Sequence, residues 1–348
     1  MKELIVKPFF FVFCLVFILN CSGNEQVKFT SSQSLTGAPV KEITVFSEGN
    51  VYLNVVDTFL VVATSRDVPF LRIYSTNTHK LLKEYGKEGR GPRDFLSVTP
   101  LRKSGYDAAN DSPVLYVHDF KRNKIAGINL KRLINGNETF SLETPLNDQK
   151  YLTFVHYWDE DLLVGSPGGG GNILIHNLTT DNFYNVSYLP KLDFTIPDNI
   201  LSLVYRSAVV VNKKRGLIAS APQYLGELDF FDFQGNLIRS SIFESRDAYR
   251  HELTSGLTIM NDIKKQIIDL DAKKDLIYGL NYNVHAKDYR SGKWNSKVQV
   301  FDWNGNAIIE YPLDGRPVRY FAVDEIHSRI YAYDPTEEEH NVVVYEFD

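Results

Sequence analysis

The chain has 348 residues, a formal net charge of −5, and an aromatic content of 13% that includes 20 Tyr and 22 Phe against 2 Met. An acidic balance lacks the basic footprint that broad nucleic-acid binding requires, so no nucleic acid is expected as a partner. The only cysteines, Cys14 and Cys21, lie within the first 21 residues, which removes disulfides, cysteine-held zinc and thiol nucleophiles from the remainder.

Residues 1–20 read as an address. Lys2 and Lys7 form a short basic region, and an unbroken apolar run follows from Phe9 to Leu19. That run is too short to span a bilayer as a helix and has the size of a signal-peptide core. It ends in Ile18-Leu19-Asn20-Cys21, followed by Ser22-Gly23-Asn24. An apolar residue three before a cysteine resembles a bacterial lipobox, although Leu19 and Asn20 are bulkier than the small residues usual there. Residues 1–20 are therefore expected to be a lipoprotein signal peptide, with Cys21 acylated; the alternative is an ordinary signal peptide with an incidental cysteine. Loss of Lys2, Lys7 and Glu3 with it takes the formal charge to −6. Residues 21–39, carrying Ser, Gly, Asn, Gln and Thr, have the composition of a flexible tether. By resemblance to lipoproteins generally, Ser22 implies the outer membrane of the cell envelope, with the lipid anchor as the only membrane attachment.

From residue 40 the chain is a succession of short runs rich in β-branched and aromatic residues, as half-buried strands require. Glu42–Phe46 comes first. Four-strand units then cover about 51–85, 95–142, 151–189, 200–243 and 257–313, and a three-strand unit covers about 318–348. Internal repeats link the last three. Val209–Ala219, Ile268–Tyr278 and Phe321–Tyr331 align without gaps, each a strand, a polar turn opened by Asn212, Asp271 or Asp324, and a second strand. Phe231-Asp-Phe-Gln-Gly-Asn236 matches Phe301-Asp-Trp-Asn-Gly-Asn306, a glycine-containing hairpin turn. Segments 191–206 and 244–256 lack strand character and are expected to be connections with a short helix. The expected fold is all-β, a six-bladed β-propeller over residues 40–348. Its ring would be closed by an N-terminal strand, Glu42–Phe46, joining the last blade and protecting its edge. A β-sandwich or two smaller β-domains are the competing architectures.

Gly86-Lys-Glu-Gly-Arg-Gly-Pro-Arg-Asp-Phe95, Leu115-Tyr-Val-His-Asp119 and Leu228–Asn236 give the chain its most distinctive strings. With them, residues 40–348 resemble the TolB-like six-bladed β-propeller lipoproteins. The resemblance implies a propeller in the bacterial envelope and supplies no catalytic residues.

In a propeller each blade runs from strand A at the central channel to strand D outside. The D–A and B–C connections share one face, where binding loops usually sit on a rigid scaffold. Here the D–A connections are rich in arginine: Arg90 and Arg93, Arg206, Arg246 and Arg250 with His251, and Arg316 and Arg319 with Tyr320. The long Asn281–Lys297 insertion adds Trp294. These ten residues form the candidate ligand site, because a guanidinium grips carboxylate or phosphate with two bonds. The competing role is bracing against Asp94, Glu244, Asp247, Glu252 and Asp314. Gly168–Gly171 lacks the Lys-Ser/Thr of a phosphate loop. Glu337-Glu-Glu-His340 reads as a solvated charge run, and His118, His156 and His176 show no metal-ligand spacing. No cofactor and no catalytic residue is indicated. The expectation is a monomeric, non-enzymatic envelope module that binds a protein, peptide or glycan at the arginine-rich face. The alternative is a hydrolase or lyase acting on a sugar or peptide with a channel metal.

Overall fold

The computed structural model describes residues 26–348 except 92, 108–111, 138–139, 147–151, 168–172, 187–191, 193, 256–262, 286 and 289–293. Residues 1–20, expected as a signal peptide, with Cys21, Gly168–Gly171 and part of the Asn281–Lys297 insertion, thus lie outside the described residues. Two short strands come first, β1 (Ser31–Ser32) and β2 (Ala38–Pro39). Blade 1 is β3 (Val51–Val56), β4 (Phe59–Thr64), β5 (Leu71–Ser75) and β6 (Leu81–Tyr85). Blade 2 is β7 (Thr99–Asp107), β8 (Ser112–Asp119), β9 (Lys124–Asn129) and β10 (Phe140–Pro145). Blade 3 is β11 (Leu152–Trp158), β12 (Leu162–Pro167), β13 (Leu174–Asn177) and β14 (Asn182–Asn185). Blade 4 is β15 (Ser207–Asn212), β16 (Leu217–Pro222), β17 (Glu227–Phe231) and β18 (Leu237–Ile242). Blade 5 is β19 (Lys264–Ala272), β20 (Leu276–His285), β21 (Lys297–Asp302) and β22 (Ala307–Pro312). Blade 6 is β23 (Tyr320–Asp324), β24 (Arg329–Tyr333) and β25 (Val342–Glu346). These form six sheets, each meandering outwards in sequence order. Short helices α1 (Leu130–Ile134), α2 (Asp198–Val204) and α3 (Arg250–Thr254) follow strands, the last two within the connections expected to hold them.

The core is divided among the blade interfaces. Each of the six neighbouring pairs, including blades 6 and 1, shares its own cluster of buried apolar side chains. A blade is therefore covered on both faces, which is why β4 carries an unbroken Leu60-Val61-Val62-Ala63 run with no exposure. Burial declines outwards: in β6, Leu81 is half exposed beside Lys83 and Glu84. The sequence repeat is a structural repeat. Asp232 and Asp302 each accept from the side-chain amide of the asparagine four residues on, at 2.9 and 2.8 Å, and Gly235 and Gly305 both take φ 80°. That left-handed conformation favours glycine.

The ring is closed by the N-terminal segment, but through Ala38–Pro39 and not through the expected Glu42–Phe46. β2 pairs antiparallel with β25, Ala38 opposite Val344 and Pro39 opposite Val343. Glu42–Phe46, expected as the closing strand, is not a strand. Its apolar residues fill the seam instead: Ile43 and Val45 are buried between blades 6 and 1, and Asn341 bonds both the N–H and the carbonyl of Val45 at 2.8 Å. The segment expected as a tether is engaged from its sixth residue on. Val27 donates to Ile242 O of blade 4 at 2.7 Å, β1 runs parallel to β22, and Leu35 donates to Pro312 O at 2.9 Å. Phe29 packs edge-on to Phe301, with ring centroids 5.2 Å apart. These residues cover the outer edge of blade 5 before reaching blade 6, so the bonds the edge would offer to another chain are occupied.

Gly37 marks the tightest point of the seam. A Cβ there would lie 2.6 Å from the Tyr345 ring and would also strike Val343, both fully buried and unable to swing aside. Gly37→Val should therefore lower stability by about 1–3 kcal/mol, read as a shift in a urea or thermal melt; an unchanged midpoint would show that the seam is slack.

Candidate functional site

The inner strands β3, β7, β11, β15, β19 and β23 surround the channel. Three of them are bulged. β7 loses register between Pro100 and Ser104, β11 between Val155 and Tyr157, and β19 between Ile267 and Asp269. A bulge re-aims the side chains it carries. In β7 these are Arg102 and Lys103, and in β11 His156, and all three line the channel cavities.

Arg102 crosses the channel. Its Nε and Nη2 grip both oxygens of Asp269 on blade 5, the Nε bond being 3.3 Å. Nη1 donates to Leu53 O at 2.8 Å and Asn54 Oδ1 at 3.3 Å on blade 1, and Nη2 to Phe321 O at 2.9 Å on blade 6. One guanidinium thus ties four blades. Burial works against its charge, but the Asp269 and Asp271 carboxylates outweigh it and raise its basicity above the ordinary value. The pair forms a floor between two cavities, one at each mouth of the channel, and Arg102 lines both.

The first mouth, on the D–A face, opens into a cavity of about 220 Å³ lined by all six blades. Tyr52 and Tyr320 stand at one side with ring centroids 5.3 Å apart, and half-exposed Phe154 at another. Arg206, exposed, lies on the rim with Gln223. Lys265 is nearby: burial lowers its basicity, and the positive charges of Arg206 and Arg319 lower it further. Within the cavity His156 shares a 2.7 Å hydrogen bond with Ser166 and is neutral, its pKa lowered to about 4 by burial.

Of the ten residues expected at this face, the channel mouth brings together Arg206 and Tyr320, with Arg319 beside them. The other seven go elsewhere. Arg246 forms a brace with the fully buried Glu227 at 2.6 Å, and Arg250 pairs with Asp247 at 3.0 Å over the Phe194 ring. His251 is exposed on α3. Arg316 bonds Asp314, Asp334 and Glu337 within 3.6 Å. Trp294 is 5% exposed and packs on Tyr282 in the core between blades 5 and 6, so it offers no surface to a ligand. Arg90 and Arg93 belong to a backbone device at the outer end of blade 1. A Cβ on Gly91 would come within 2.7 Å of Asp94 Oδ2, which Gly91 N–H bonds at 2.9 Å, and Arg122 clamps the carbonyls of Gly91 and Asp94. Arg93 lines a separate outer cleft with Glu84 and Tyr85.

The second mouth, on the A–B face, was not anticipated. Its cavity, about 480 Å³, is lined by seven Lys or Arg side chains against one carboxylate, Asp275. The turns that build it are the Asn212–Gly216 and Ala272–Asp275 turns of the aligned repeats, so the lysine runs within those repeats were the available signal. Behind the cavity, Asp159 joins Lys213 at 2.9 Å, Lys103 at 3.9 Å and the Tyr157 hydroxyl at 2.6 Å. Burial works to raise the Asp159 carboxyl, yet these hydrogen bonds and that from Asp161 N–H hold it below the usual carboxylate range. Among the described residues no three His, Cys, Asp or Glu side chains converge as metal ligands.

A closed ring of six antiparallel blades with a floored central channel defines a six-bladed β-propeller. The chain belongs to the TolB-like six-bladed propeller family, whose model matches residues 29–326. No curated protein matches it. Among solved structures it is similar to a DUF4221 family member from Bacteroides vulgatus, at 12% identity and a TM-score of 0.59, over 92% of this chain and 97% of that one. It is also similar to a protein of Bacteroides fragilis predicted to be exported, at 11% identity and a TM-score of 0.51, over 92% and 94%. At these identities the likeness is one of fold.

Arg102→Met should cost about 3–5 kcal/mol, because it leaves Asp269 buried without its partner. Arg102→Met with Asp269→Leu should recover most of that loss, and a denaturant double-mutant cycle measures the difference. Burial also lowers the His118 pKa to about 4. His118 and His156 thus bind protons less readily when folded than when unfolded. Their contribution to stability is whole above pH 6.5 and is lost as the pH falls from 6.5 to 4, by up to about 3 kcal/mol each. His156→Gln should flatten a melting-temperature profile over that interval relative to the parent chain.

Proposed function

We propose that this propeller is a non-enzymatic binding module of the bacterial cell envelope, exported and held at the outer membrane through an acylated Cys21. Its ligand site is the D–A mouth, and its ligand is a carboxylate-bearing peptide or glycan. The observation that carries this reading is the blind cavity of about 220 Å³ whose floor is the Arg102–Asp269 pair and whose rim holds Arg206. Six rigid inner strands fix the walls, so little ordering is needed on binding. Tyr52 and Tyr320 offer aromatic faces, and Arg206, Lys265 and Arg319 supply a positive potential on an otherwise acidic protein. One chain completes the ring, so a monomer suffices for the site. The lipobox and the export predicted for the Bacteroides fragilis neighbour support the location.

Calorimetric titration of the full chain should show binding of oligogalacturonides or peptides with a free C-terminus, and weaker binding of neutral galactans or amidated peptides. Arg206→Ala and Tyr320→Ala should each weaken the charged ligand at least about tenfold, equivalent to about 1.4 kcal/mol. Equal binding of charged and neutral ligands, or an unchanged Arg206→Ala variant, would refute the assignment, and conversion of the ligand to product would make the module an enzyme.

A further inference from the structure

We infer that the A–B mouth is a second binding site, distinct from the D–A mouth, for a ligand that carries paired phosphoryl groups. The two cavities share only Arg102 and His156 as lining residues, so a ligand in one meets otherwise different side chains from a ligand in the other.

Two repeats build the site. The A–B turns of blades 4 and 5 are docked on each other: Asn212 Nδ2 donates to Lys274 O at 3.3 Å, and Arg215 pairs with Asp275 at 2.9 Å. This docking sets Lys214 and Lys274 on adjoining turns of one cavity wall. Both side chains are exposed, and neither has a hydrogen bond or ion pair among the described residues. Around them Lys103, Lys213 and Lys273 also line the cavity, but each is held by an acid that does not line it, Asp159 for the first two and Asp271 for the third. Lys103 is held inward, donating to Trp158 O at 2.8 Å among the Tyr116, Tyr157 and Trp158 rings, and Asp271 lines an adjoining cavity with Lys273, Lys274 and Glu325, so Lys214 and Lys274 are the cations left to a ligand.

The chemistry selects the ligand class. Five of the seven cations are lysines, compact point charges of the kind that bind phosphate without a fixed plane, whereas a guanidinium fork grips carboxylate or phosphate alike. Two unpaired ammoniums on adjoining turns call for an anion with two charged groups. The cavity, about 480 Å³, exceeds a diphosphate and leaves room for the moiety bearing it. The formal charge of −5 means that anions are repelled by the molecule as a whole, so the positive wall is local.

The test uses the full chain, with pyrophosphate as the free probe and vesicles of phosphatidate in phosphatidylcholine as the lipid probe. Binding of pyrophosphate, weakening as NaCl is raised, is expected, and Lys214→Ala with Lys274→Ala should weaken it at least about tenfold. Both side chains are exposed and unpaired, so the melting temperature of this variant should equal the parent's and a loss of binding is not a loss of fold. Arg206→Ala should leave pyrophosphate binding unchanged, which separates this site from the D–A mouth whatever becomes of that one. Binding of pyrophosphate and not of phosphatidate vesicles would assign the site to a free diphosphate-bearing ligand, whereas binding of phosphatidate vesicles alone, which present single phosphoryl groups, would overturn the pairing. The inference is overturned if neither probe binds, if pure phosphatidylcholine vesicles bind equally, or if the double lysine variant binds as the parent does.

Discussion

The Arg102–Asp269 contact organises the centre of this propeller. Neighbouring blades hold each other through apolar faces, which need no particular residue at any one point. A charge pair reaching across the channel is different in kind. Withdrawing two charges from water is costly, and the structure offsets this with bonds to the carbonyls of Leu53 and Phe321 and with two bonds to the carboxylate. The geometry follows from the bulge in β7, which carries the guanidinium into the channel. The same contact stands between the two cavities of the channel, with Arg102 lining both.

Those ends differ in character. The D–A end is small, flanked by tyrosines and a phenylalanine, and positive only at its rim. The A–B end is larger, and its wall carries five lysines, two of them without a partner among the described residues. The arginines that bracket the blades elsewhere do mechanical service: Arg246 on Glu227 anchors the 4-to-5 connection, and Arg316 gathers three acids from blade 6 and its approach. Arginine in a connection thus has two uses here, and only the position of its acid separates them.

That distinction explains what the sequence showed and what it did not. The blade count, the unit boundaries to within a few residues and the paired Asp232 and Asp302 turns were legible because they depend on local alternation and on turn chemistry within five residues. Closure of the ring by the N-terminus was legible from a missing strand, but the strand was placed at Glu42–Phe46, where alternating apolar residues suit a wedge as well as a strand. The site was less legible. Glu227 is nineteen positions from Arg246, so its role as counter-ion is a matter of tertiary packing. Arg102 sits in an ordinary-looking Leu101-Arg102-Lys103 run, and only the bulge, which leaves no mark in residue type, makes it the floor of the channel. Trp294 has the residue type of a binding platform and the surroundings of a core residue.

The seam has a bearing on how the molecule comes into being. Val27 to Val40 rest on blades 4, 5 and 6, and β2 has no partner until Val342–Glu346 exists. Ala38–Pro39 therefore waits for a strand that is made only after the five preceding blades. Until then an unfinished blade 6 and the apolar Ile43 and Val45 stand open together. Pairings of such sequence separation are slow to form and vulnerable to aggregation while they wait. A chain cut short before Val342 would carry both defects at once, so synthesis through Glu346 and closure of the ring are a single condition in this protein.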